Sequence, residues 1–113
     1  MMSTIQSRLE KVATALTSIS GLTVYHYYRM ISSAPVCIWE ETMESGSVET
    51  DGHKGEQEIE GYVHLFTKTE YDPFCDDIQN ALNNAEDVYW MYNSVQYEEE
   101  TNMIHHEWRF RVK

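Results

Sequence analysis

An α+β fold, with two α-helices packed on one face of a largely antiparallel β-sheet, is predicted by three features of this 113-residue chain. An apolar stripe at helical spacing opens the sequence, and a second helical stripe follows residue 72. The segments between and after them are short runs rich in β-branched and aromatic residues, several with strict alternation. Strands grouped between two helices, without regular β-α-β alternation, favour helices segregated to one sheet face. The expected order is α-β-β-β-α-β-β in a single domain spanning residues 1–113, a length that supports one core and not two.

The first helix is carried by Ile5, Leu9, Val12, Leu16 and Ile19, which recur every three or four positions between Ser3 and Ile19. Ser3 or Thr4 suits its start and Gly21 the position beyond its end. "LTVYHYY", residues 22–28, has strand composition without a helical period. "RMISSAP" interrupts it, and "PVCIWEETM" resumes with Val36, Ile38 and Glu40 facing away from Cys37, Trp39 and Glu41. Pro35 is acceptable where a strand begins.

Residues 44–57 contain Gly46, Gly52 and Gly55 among Ser, Glu, Asp and His, which is loop composition. A long acidic loop is therefore expected between two strands. "EIEGYVHLFTK" then alternates, with Ile59, Gly61, Val63 and Leu65 on one side and Glu60, Tyr62, His64 and Phe66 on the other. The second helix, in "EYDPFCDDIQNALNNAED", has Asp72 as its cap, Pro73 in its first turn, and Phe74, Ile78 and Leu82 stacked four apart. Asp76 and Asp77 lie near its positive end. "VYWMYNSVQYEEE" and "MIHHEWRFRV" close the chain as strands joined near Glu100 to Asn102. In the last, Ile104, His106, Trp108, Phe110 and Val112 oppose His105, Glu107, Arg109 and Arg111.

The net charge of −11, from 8 basic and 19 acidic residues, argues against holding a polyanionic nucleic acid. It suits a surface that nucleic acid passes without sticking, because like charges repel over roughly 8–10 Å. No apolar run approaches the ~20 residues that span a bilayer, and the first residues lack a signal-peptide core, so a soluble protein made in the cytoplasm is expected, with no membrane partner. Cys37 and Cys75, far apart and each among apolar neighbours, read as buried thiols.

No phosphate-binding glycine loop, zinc-type Cys/His spacing or nucleophile elbow is present in the sequence, so neither enzymatic activity nor a cofactor is expected. In "HHE", His105 and His106 point to opposite sides of a strand. His105 and Glu107 share a face but need a third ligand from elsewhere, so a surface or cross-strand pair is expected and no metal. His53 beside Asp51 and Glu56 lacks the order of an EF-hand loop and reads as part of a solvated charged segment. His26 and His64 read as structural. Tyr25, Tyr27, Tyr28, Tyr62, Tyr89, Trp90, Tyr92 and Tyr97 offer rings for stacking on bases, but in so acidic a chain they fit core and subunit contact better.

The opening helix, "GLTVYHYY", "APVCIWEE", the long polar loop, "GYVHLFTK" and "DPFCDDIQNAL" together resemble the tail-terminator, or tail-completion, proteins of long-tailed phages and prophages. The resemblance covers nearly the whole chain and lies in element order and residue texture. It implies a structural subunit, in the host cytoplasm during assembly and in the virion tail afterwards, that forms a hexameric ring capping the tail tube. Its implied partners are further copies of itself, the tail tube protein and a head-completion protein, and DNA passes through the ring without specific binding. The loop residues Glu44, Glu49, Asp51, His53, Lys54 and Glu56 are then candidates for an assembly contact. Another phage neck or minor tail protein is the alternative, and a small-ligand or metal-binding module is the alternative from a different class.

Overall fold

The computed structural model describes residues 4–28, 33–50 and 52–113, with backbone alone at residues 48–50, 53 and 54. The expected order holds: α1 (Ile5–Thr17), β1 (Thr23–His26), β2 (Val36–Thr50), β3 (His53–Thr67), α2 (Phe74–Asn84), β4 (Val88–Glu98) and β5 (Met103–Val112). The strands form one sheet in the order β1-β2-β3-β5-β4, parallel between β1 and β2 and antiparallel elsewhere.

α1 begins at a reciprocal cap. The Thr4 hydroxyl accepts from the Ser7 N–H at 3.0 Å, and the Ser7 hydroxyl accepts from the Thr4 N–H at 2.9 Å, satisfying two donors left over at the helix start. Ser3, the other cap candidate, lies outside the described residues. Leu9, Val12 and Leu16 are buried, whereas Ile5 at the stripe's head is exposed. Gly21 has φ +80°, the left-handed geometry expected beyond a helix end. At α2 the Asp72 carboxylate accepts from the Phe74 N–H at 2.9 Å and from the Thr67 hydroxyl at 2.5 Å, so the expected cap is also tied to the end of β3.

Both helices pack on one sheet face. Leu9, Val12, Leu16, Ile78 and Leu82 meet Cys37, Trp39, Ile59, Val63, Leu65, Val88, Trp108, Phe110 and Val112 in one core. Trp108 is fully buried, and its indole N–H donates to Gln79 Oε1 at 3.0 Å, satisfying the one polar group it takes into the core. A smaller cluster of Val36, Ile38 and Phe66, with Tyr25 and Met103, lies on the opposite face, which no helix among the described residues covers. Cys37 is buried and its thiol is pushed up to about 12; Cys75 is half-buried against the core and is pushed up to about 11, chiefly by burial.

One expectation fails. Residues 44–57 are not a loop: β2 and β3, each 15 residues long, continue as a hairpin to the pairs Glu49↔Lys54 and Thr50↔His53, with Gly52 at φ +77° in the turn. Glycine is the residue that adopts such a positive φ without steric cost. Register shifts at Glu41/Met43, Glu44/Gly46 and Ser47/Glu49 put bulges along β2, which break its alternation and twist the ribbon. The molecule measures 53 × 25 × 22 Å. β3 first pairs with β5 at Ile59, so the six residues before it, at about 3.3 Å each, carry the hairpin roughly 20 Å past the five-stranded sheet. Among the described residues no helix is long and apolar enough to cross a membrane.

Candidate functional site

Two surfaces stand out: the hairpin arm and the open sheet face that runs into it. On the open face, β3 and β5 set side chains directly opposite or diagonally across the ladder. Arg111 Nη1 donates to Glu58 Oε1 at 2.9 Å. One register step on, Arg109 donates twice to Glu60, from Nε to Oε2 at 3.2 Å and from Nη2 to Oε1 at 3.0 Å. The Glu60 side chain is only 7% exposed, so the guanidinium neutralises a carboxylate removed from water. Arg109→Ala is expected to lower the melting temperature, and adding Glu60→Gln to that variant to restore part of the loss. No recovery in thermal unfolding of the double variant would remove the buried carboxylate as the cause.

Further along the same face His64 Nδ1 lies 2.8 Å from His105 Nε2 and 3.5 Å from Glu107 Oε1, while His64 Nε2 faces Glu40 Oε1 at 3.5 Å. Burial, then the neighbouring His64, lowers the pKa of His105. The cross-strand pairing expected for His105 is thus present, with His64 as the partner that sequence spacing does not bring near. His64, His105 and Glu107 are the group among the described residues whose ligand atoms lie close enough to hold a metal ion. His106 points to the helix side, where its Nδ1 is 2.8 Å from the Tyr92 hydroxyl.

At the other side of the sheet, His26 Nε2 and the Tyr27 hydroxyl converge on Glu41, at 2.6 Å and 2.5 Å. Burial of Glu41 opposes its charge, but hydrogen bonds from Tyr27 and His26 outweigh burial and hold its carboxyl below the usual range. A carboxyl whose pKa is lower folded than unfolded adds stability above the unfolded value, about 4.3, and loses it as pH falls through the folded value. Glu41→Gln is therefore expected to lower the melting temperature at pH 7. The gap to wild type should shrink as pH falls below about 4; a constant gap across that range would contradict the assignment.

The acidic segment is therefore partly neutralised by Arg111 and Arg109, which pair with Glu58 and Glu60, while Glu41 is hydrogen-bonded to His26 and Glu40 faces His64. Of the assembly candidates, Glu44 is half-buried on β2 and Glu56 is exposed on β3. Glu49, His53 and Lys54 lie on the arm's strands with side chains outside the described residues, and Asp51 lies outside them altogether. Strand pairing brings Glu49 opposite Lys54 at the tip, where a loop had no register to do so.

None of the eight Tyr and Trp rings named as core or contact residues is fully buried. Core volume is filled instead by Trp39, Trp108, Phe110 and aliphatic residues. Tyr27, Tyr28, Tyr89, Tyr92 and Tyr97 are exposed, the last three with Met91 and Val95 on β4, one of the two edge strands of the sheet. A long edge strand carrying exposed apolar side chains is a ready surface for association.

No family model matches the chain, and no curated protein sequence does. Among solved structures, the fold is similar to that of a chain in "Virion of native gene transfer agent (GTA) particle", with a TM-score of 0.60 at 14% identity, covering 96% of this chain and 92% of that one. At that identity the likeness is one of fold.

Proposed function

We propose that the chain is a structural subunit of a phage-like particle, one that caps the tail tube as a hexameric ring and joins it to the head-completion complex. The observation that carries this reading is the hairpin arm, which projects roughly 20 Å beyond the sheet and whose described side chains are exposed or half-buried. Such an arm has its use in reaching a neighbour. The exposed apolar edge of β4 supplies a second contact surface, and a subunit with two unlike surfaces suits head-to-tail closure into a ring. The fold shared with a chain of a gene transfer agent virion supports the phage-particle class.

In this reading the subunit assembles in the host cytoplasm and ends in the virion tail, against the tail tube protein on one side and a head-completion protein on the other. The charge of −11 lets DNA pass without being held. The reading assigns no enzymatic role and no site for a small ligand. In the groove between α1 and α2 the Ser7 hydroxyl is taken up by the Thr4 cap and Lys11 by Asp87 and the Lys113 carbonyl. Another neck or minor tail role would use the same two surfaces.

Electron microscopy of tail tubes polymerised with and without the chain tests the proposal. Tubes of defined length with added density at one end are expected when it is present. Tubes of unchanged length distribution with bare ends would overturn the capping role.

A further inference from the structure

The cluster on the open face is organised as a ligand set and not only as a hydrogen-bonded pair. His64 stands directly opposite Glu107 in the β3–β5 register, and His105 is its diagonal neighbour. One ligand atom from each of the three residues lies within 4.8 Å of the other two, and His64 Nδ1 is 2.8 Å from His105 Nε2 and 3.5 Å from Glu107 Oε1. A zinc ion sits about 2.0–2.1 Å from each imidazole nitrogen, which sets two such nitrogens about 2.9–3.4 Å apart for angles from square to tetrahedral. The observed 2.8 Å separation needs to open by only a few tenths of an ångström to reach that range.

Each ligand is also held from behind. Asn93 Nδ2 donates to Glu107 Oε2 at 2.5 Å and the Ser94 hydroxyl to the same oxygen at 3.4 Å, leaving Oε1 turned toward His64. Both donors sit at the register shift between Tyr92 and Ser94 on β4. His105 stacks on Phe66, with ring centres 4.2 Å apart and planes 21° apart. His64 offers Nδ1 to the cluster while its Nε2 lies 3.5 Å from Glu40 Oε1, placing a carboxylate behind the ring. Side chains that are only 14% exposed at His64 and 21% at Glu107 keep the set partly out of water, with the outward side open.

We propose that His64, His105 and Glu107 bind one divalent first-row transition ion of the zinc class, leaving a fourth position that faces outward for water or a neighbouring subunit. Two imidazoles and one carboxylate select such an ion over Mg²⁺ or Ca²⁺, which prefer all-oxygen shells. In the metal-free protein one of the facing nitrogens carries the shared proton. Binding moves that proton to the far nitrogen of its own ring, so that both lone pairs reach the metal.

Isothermal titration of chelator-treated full-length protein with ZnCl₂ at pH 7.5, with MgCl₂ present in excess, tests the site. One zinc per chain at micromolar or tighter affinity is expected, weakened at least tenfold by His64→Gln, His105→Gln or Glu107→Gln. His106→Gln, on the other face of the same strand, should bind as wild type does. Circular dichroism establishes that each variant is folded, and Co²⁺ in place of zinc gives visible absorption that should vanish in folded His105→Gln. Absence of zinc binding by wild type, or binding that survives all three ligand variants, would overturn the proposal.

Discussion

Replacing Gly61 with alanine is expected to cost about 3 kcal/mol or more, enough to lower the melting temperature by roughly 10 °C or to prevent folding. Gly61 lies mid-strand in β3, facing the helices, opposite Glu41 and Phe110 in the ladders on either side. A Cβ at this position would lie 1.9 Å from the Glu40 carbonyl oxygen, 2.7 Å from Glu41 Cα and 2.7 Å from Phe110 Cζ. Two of those three atoms are backbone, so no rotamer change relieves the clash. Phe110, which meets Trp39 edge-on with ring centres 6.3 Å apart, occupies the space a side chain would take. Combining Gly61→Ala with Phe110→Leu should recover little, since the clash with the Glu40 carbonyl persists. Thermal denaturation checks this; a Gly61→Ala protein as stable as wild type would show that strands β2 and β3 approach less closely than described.

Removing the arm should have the opposite profile, with little effect on stability and a large one on assembly. Gly46 and Glu58 pair directly across the hairpin, so residues 47–57 can be replaced by Asn-Gly to close a two-residue turn at that pair. The replacement keeps Glu58 for Arg111 and every strand pair from Glu44↔Ile59 inward. The excised residues whose burial is described are exposed or half-buried, so the expected loss is about 1 kcal/mol or less. Self-association, by contrast, should weaken at least a hundredfold. Sedimentation and thermal unfolding on the same preparation read both quantities. An armless protein that assembles normally would remove the arm from the interface, and one that unfolds would show that the arm belongs to the fold.

The parts of this fold legible in the sequence were those written in local spacing. The stripe of Leu9, Val12 and Leu16, the Asp72 cap and the two-faced patterns of β3 and β5 all follow from neighbours a few residues apart. The parallel pairing of β1 with β2 was not legible, because a connection as short as residues 27–35 ordinarily returns a strand antiparallel. The arm was hidden by its bulges: three register shifts break the alternation that marks a strand, and Gly46 and Gly55 around Asp51-Gly52 mimic loop composition. The site depends on partners that spacing cannot supply. His64 precedes His105 by 41 positions, and Glu60 precedes Arg109 by 49; they meet because β5, not β4, lies beside β3. For the tyrosines, composition indicates an amphipathic role but not how much of each ring a monomer covers.

Assembly is the property on which the functional reading stands, and mass in solution measures it most directly. Analytical ultracentrifugation of the full chain over a wide concentration range, at low and high salt, should show the monomer giving way to a six-subunit species. The shift should be favoured by salt, which screens repulsion between subunits of charge −11. A monomer or a dimer that persists at every concentration and ionic strength would contradict a self-assembling ring.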